Sequence, residues 1–121
     1  MSNRIEISVS RMEAGAPVTV LHVKGQIDAS NVADLETKAL DLVKSGTGNM
    51  LIDLGGVTFM SSAGFRTIHR VYQAMHPAGT KGQHLKLLDP SDEIRRLVKT
   101  LGFDKFVGVL SGDLRKAIST F

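Results

Sequence analysis

The sequence predicts a single α/β domain: a mixed, mostly parallel sheet with an N-terminal β-hairpin and about four helices packed against it, in the order ββαβαβαβα. Three observations carry that prediction. Apolar and polar residues alternate near the start, apolar residues recur at helical spacing in four later segments, and short apolar runs separate those segments. Strands separated by helices need crossover connections, which pair them in parallel and lay the helices on the sheet. The 121 residues are read as one domain, 1–121, since most domains hold roughly 100 to 150 residues.

Ile5, Ile7 and Val9 alternate with Glu6, Ser8 and Ser10, the period of a strand with one wet face. A turn at Glu13–Pro17 and a second strand over Val18–Val23 complete the hairpin. Gly25-Gln-Ile-Asp-Ala-Ser-Asn31 supplies cap-forming side chains for a helix from Asn31 to Lys44, with Val32, Leu35, Ala39, Leu42 and Val43 on one side. Met50–Leu54 is almost wholly apolar, as a central strand buried on both faces would be. Phe65, Ile68, Val71, Tyr72 and Met75 trace the apolar side of a helix over Ser62–His76. A strand over Leu85–Leu88 follows, then a turn and cap at Asp89–Asp92 for a helix carrying Ile94, Leu97, Val98 and Leu101, ended by Gly102. Phe106–Val109 reads as a short strand and Ser111–Phe121 as a last helix.

Composition narrows the function classes. Apolar residues make up 42% and charged residues 22%, as in an ordinary globular protein. The absence of cysteine removes disulfides, thiolate metal sites and thiol nucleophiles, and fits a reducing compartment. No segment approaches the roughly 20 apolar residues that cross a bilayer, and the opening MSNRIEISVSRME lacks the apolar core of a signal peptide. The expectation is a cytoplasmic protein without a membrane partner. Residues 1–60 carry net −2 and residues 61–121 net +5, an asymmetry that suits an acidic partner, a phosphate or simply a solvated surface. The five Phe and one Tyr do not interleave with the basic residues, so no direct nucleic-acid partner is expected.

The residue patterns of catalysis are thin. His22, His69, His76 and His84 are scattered and form no metal-ligand set. Ser-His-Asp chemistry is compatible with the composition, yet no GxSxG elbow is present. His22 lies in a strand, where a structural role is the simpler reading. Gly46-Thr-Gly48 and Gly55-Gly56 lack the phosphate-loop pattern and read as turns. No catalytic residue, cofactor or metal is expected. Asp28 and Asp53 lie near strand ends, where sites gather in parallel sheets; Asp28 also suits capping or loop hydrogen bonding, and Asp53 a neighbouring backbone or basic group.

The stretch TFMSSAGFR, Thr58 to Arg66, is harder to explain structurally. One of Ser61 and Ser62 is expected to cap the following helix, which typically stabilises by roughly 1 kcal/mol. Capping does not account for both serines, nor for Gly64, which costs up to about 1 kcal/mol relative to alanine inside a helix and would let another protein's backbone come close.

LIDLGGVTFMSSAGFRTIHRVYQ resembles the phosphorylation-site segment of the STAS-domain anti-sigma factor antagonists, and GQID at Gly25–Asp28 resembles that family's motif after the second strand. The resemblance implies the family's fold over nearly the whole chain and places the phosphoacceptor at Ser62, two residues before the glycine. Ser61 takes a position often held by aspartate, Ala63 that of a second Ser or Thr, Phe65 that of leucine, and Gln26 that of glutamate. The implied partner surface comprises Asp28, Ser61, Ser62, Ala63, Gly64, Phe65 and Arg66. By the same resemblance the unphosphorylated protein binds an anti-sigma factor that is also a GHKL-type serine kinase and so frees the sigma factor. Phosphorylation of Ser62 ends the binding, and a PP2C-type phosphatase restores it. Alternatives are a non-phosphorylated STAS scaffold or accessory subunit of a transport or signalling complex, and a nucleotide-binding sensor with Asp28 and the Ser62 helix end as its anion site.

Overall fold

The computed structural model describes residues 4–121; the first three residues of the opening stretch read as lacking a signal peptide lie outside them. Five strands form one sheet in sequence order: β1 (Glu6–Glu13), β2 (Pro17–Ile27), β3 (Met50–Met60), β4 (Leu85–Leu88) and β5 (Gly108–Leu110). β1 and β2 are the antiparallel hairpin, and every later pairing is parallel. The helices are α1 (Val32–Lys44), α2 (Ser62–Met75), α3 (Asp92–Thr100) and α4 (Leu114–Ile118), so the order ββαβαβαβα holds.

The strands' two-residue period divides the core. Leu21 and Val23 of β2, Met50, Ile52 and Leu54 of β3, and Leu85 and Leu87 of β4 face one way, into a cluster with Leu35 and Ala39 of α1, Ile68 and Val71 of α2, and Ile94 and Val98 of α3. Val18, Val20, Leu51 and Leu88 face the other way, onto Ala117 and Ile118 of α4. Three helices therefore cover one face, and one short helix covers only part of the other.

Several boundaries depart from the sequence reading. β2 and β3 run on to Ile27 and Met60, beyond the expected ends at Val23 and Leu54. Register shifts between His22 and Lys24 and between Gly25 and Gln26 absorb the mismatch between the two strands. Gly55-Gly56 is thus part of a strand and not a turn: a Cβ on Gly56 would lie 2.6 Å from Cγ of Lys24. Gly25 sits at φ +114°, with the Arg4 carbonyl 3.0 Å from where its Cβ would be. Phe103–Lys105 forms a 3-10 turn ahead of β5, and the last helix is shorter than expected. Caps fall where Ser91 accepts from the Ile94 N–H and Asp113 from the Arg115 N–H. Asn31, at the N-cap of α1, instead braces the preceding loop, accepting from the Asp28 N–H and donating to the Gln26 carbonyl.

On the α4 face, Lys86 of β4 is only 7% exposed. Its Nζ donates to the Thr120 carbonyl at 2.8 Å and to Thr120 Oγ1 at 2.9 Å, and lies 4.7 Å from the Phe121 ring centroid. Burial lowers its pKa below the ordinary lysine value. Between the folded and unfolded pKa values the unfolded chain binds more protons, so stability rises with pH through that window and is lowest below it. Urea midpoints of the wild type and Lys86→Met, compared at pH 8 and near pH 10.5, should therefore show the wild type gaining on the variant as pH rises; a constant difference would contradict the assignment.

Candidate functional site

β2 and β3 reach the same edge of the sheet together, with Ile27 paired to Met60 and the Ser61 N–H donating to the Ile27 carbonyl at 2.9 Å. The chain turns into α1 directly after Ile27 and into α2 directly after Met60, so Asp28 and the Ser61-Ser62 pair stand side by side at the C-terminal ends of adjacent parallel strands. Sites in open parallel sheets collect at such edges.

Asp28 is half-buried, and its Oδ1 accepts from the Ser30 N–H at 2.9 Å and from the Ser30 hydroxyl at 2.5 Å. Its carbonyl accepts from the N–H groups of Asn31 and Val32, which starts α1. The carboxylate therefore shapes the loop, one of the roles foreseen for it.

Ser61 holds the N-cap position of α2 in an extended conformation but makes no capping hydrogen bond, contrary to expectation. The Gly64 N–H is taken by the Ser61 carbonyl at 3.0 Å, and Ser61 Oγ is buried without a partner among the described residues. Ser62, the first residue of α2, is exposed, as is Arg66 one turn on. The first turn of α2 carries no acidic residue. Ala63, Gly64 and Phe65 turn inward: Ala63 and Phe65 are 9% and 4% exposed, and Gly64 faces Met60 and Ile27. The glycine thus serves internal packing, a different reason from the close approach by another chain inferred from sequence. Of the seven residues singled out, Ser62 and Arg66 are fully presented, Asp28 and Ser61 partly, and the other three hold the helix end against the sheet.

Beside Ser62 lies a groove of about 350 Å³, almost entirely apolar and lined by Met60, Phe65, Arg66, Leu97, Leu101 and Phe103. Leu97 and Leu101 are 39% and 53% exposed. Of the four apolar residues the sequence reading gave to this helix, Ile94 and Val98 are buried, while Leu97 and the C-cap residue Leu101 face the groove. The spacing i, i+3, i+4, i+7 is that of an ordinary core-facing stripe, so the sequence carried no signal that Leu97 and Leu101 would be exposed. On the other side of α2 a smaller groove of about 300 Å³ separates it from α1, spanned by an Arg70–Glu36 ion pair at 2.8 Å. Among the described residues no group of three His, Cys, Asp or Glu converges on a point, and no helix is long and apolar enough to cross a membrane.

A mixed five-stranded sheet led by a hairpin, with a serine-bearing helix start at the β2/β3 edge, is the arrangement of STAS domains. The sequence matches the STAS domain over residues 11–118, and the chain belongs to that family. Its fold is similar to that of an anti-sigma factor antagonist from Mycobacterium paratuberculosis, at 23% identity over 95% of this chain and 93% of that one, with a TM-score of 0.73. It is also similar to the anti-sigma factor antagonist SpoIIAA in its unphosphorylated form, at 17% identity over 93% of this chain and 96% of that one, TM-score 0.70. The Bacillus cell fate determinant SpoIIAA in the phosphorylated form matches at 16% identity over 93% of this chain and 98% of that one, with the same TM-score of 0.70. Among curated proteins none matches the sequence.

Proposed function

We propose that this STAS domain is an anti-sigma factor antagonist: its unphosphorylated form binds an anti-sigma factor that is also a serine kinase, releasing the sigma factor, and phosphorylation of Ser62 ends the binding. The observation that carries the reading is the exposure of Ser62 at the first position of α2, beside Asp28 and the apolar groove. A kinase needs a hydroxyl that its active site can reach, and Ser62 meets that requirement where the buried Ser61 oxygen does not. The groove offers apolar area for a partner next to the switch residue, and Arg66, Arg96 and Lys99 add exposed positive charge on α2 and α3 suited to an acidic one. Relatives of the same fold include one solved in both unphosphorylated and phosphorylated forms, which supports a phosphorylation cycle here.

The role of the site is recognition, with ATP and magnesium brought by the kinase. Incubation with the cognate kinase and ATP is expected to place one phosphate on Ser62, readable by intact mass and peptide mapping, and Ser62→Ala should take up none. Labelling of that variant at the wild-type level would overturn the assignment. Absence of phosphate on the wild type would favour the scaffold or sensor alternatives.

A further inference from the structure

On the opposite face of the sheet from α2, the structure joins Ser10 of β1, His22 of β2 and Asp53 of β3 across three neighbouring strands. Ser10 Oγ lies 2.9 Å from His22 Nε2, and His22 Nδ1 lies 2.9 Å from Asp53 Oδ2. The second carboxylate oxygen of Asp53 accepts from the Gly55 N–H at 2.9 Å, which fixes the carboxylate's orientation. An ionised carboxylate only accepts, so the ring proton sits on Nδ1 and the Nε2 lone pair faces the Ser10 hydroxyl. This is the connectivity by which a histidine draws the proton from a serine nucleophile while an aspartate holds the ring's tautomer.

The three side chains stand on rigid strands, and α4 leaves them uncovered: the His22 and Asp53 side chains are each 27% exposed, and Ser10 is half-buried. Bracing the edge strand would account for the hydrogen bonds alone; the order of the contacts, hydroxyl to Nε2 and Nδ1 to a carboxylate fixed by a backbone N–H, is also the one nucleophilic activation requires. We propose that Ser10 is an acyl-acceptor site, activated by His22 and positioned by Asp53, that reacts with small activated acyl compounds. The open face provides little binding surface, so the donor must be small and must carry a good leaving group.

In the step proposed, Ser10 Oγ attacks the acyl carbonyl carbon and its proton passes to His22 Nε2, while Asp53 stabilises the imidazolium. The bond from the carbonyl carbon to the leaving oxygen then breaks, and that oxygen takes the proton back from Nε2. The products are O-acyl-Ser10 and a free alcohol or phenol, with nothing oxidised or reduced. Lys24 is exposed two residues beyond His22 on the same side of β2, adding positive charge to the face on which the carbonyl oxygen becomes negative.

The test uses the full chain and p-nitrophenyl acetate, following nitrophenolate release and mapping the acetyl group by peptide mass. Acetyl is expected on Ser10, with none there in Ser10→Ala. His22→Gln should slow Ser10 acetylation by about a hundredfold, the usual worth of a general base, and Asp53→Asn by about tenfold or more. Ser62→Ala should label Ser10 at the wild-type rate, separating this site from the proposed switch. Far-UV circular dichroism identifies which of the two relay variants remain folded, and either one suffices. Acetyl found only on lysines or the amino terminus, or Ser10 acetylation unchanged in a folded His22→Gln or Asp53→Asn variant, would overturn the proposal.

Discussion

Gly64→Val is expected to destabilise the domain by about 2–3 kcal/mol, the cost of overpacking a well-filled interior. A Cβ at position 64 would run into Cγ of Met60 and stand 3.0 Å from its Sδ and 3.1 Å from Cγ2 of Ile27. Both neighbours are packed inside, Met60 at 4% and Ile27 at 0% exposure, and Ile27 has no outlet. The strain must therefore lift the start of α2 off the sheet, and with it the hydrogen bond from the Ser61 N–H to the Ile27 carbonyl. Gly64→Ala meets the same first contact but recovers up to about 1 kcal/mol of helix propensity, so its loss should be smaller. Urea denaturation of the three proteins would give that order, with a melting temperature for the valine variant lower by roughly 10 °C. Wild-type stability in Gly64→Val would mean that the glycine is not a packing requirement.

That steric reading marks where the sequence stopped being legible. Periodicity located the five strands and the four helices, because each buries one face or one stripe and the apolar positions record it. The exposure of Ser62 was also legible, since it follows from being the first residue of a helix. What stayed hidden depends on partners distant in the chain. The extension of β2 and β3 rests on a register shift that lets Gly56 pair with Lys24, and a two-glycine run viewed alone reads as a turn. Which neighbour Gly64 meets is set by the Met60 and Ile27 side chains, and the Ser61 side chain makes no capping bond while the Gly64 N–H goes to the Ser61 carbonyl. The alternation in β1 did announce a wet face bearing Ser8 and Ser10. Only the antiparallel register, with Ser8 opposite His22, and the parallel pairing of His22 with Asp53 turn three unremarkable residues into a hydrogen-bonded chain.

Phosphorylation of Ser62 is expected to weaken binding to the proposed partner, an anti-sigma factor kinase, by a hundredfold or more while leaving the fold intact. The two halves of that prediction have one cause acting in two surroundings. In the free protein the added charge of about −1.5 to −2 sits exposed at the start of a fourteen-residue helix with no acid in its first turn and Arg66 one turn away. A helix start favours an anion by roughly 0.3–1 kcal/mol, so the urea midpoint should move little, and upward if at all. In the docked state the same dianion must give up its water against a surface matched to a small hydroxyl. An unrecovered penalty of only about 2.7 kcal/mol already makes the hundredfold loss. Ser62→Asp, which adds a single smaller charge, should lose part of that affinity, and Ser62→Ala should retain nearly all of it. Leu97→Ala separates charge from contact: it removes apolar area from the groove without touching the hydroxyl. It should weaken binding of the phosphorylated and unphosphorylated forms by the same factor, because its contribution does not depend on the phosphate. Titration calorimetry on the four proteins reads both effects, and a phosphorylated wild type that binds as tightly as the unmodified one would remove the electrostatic switch altogether.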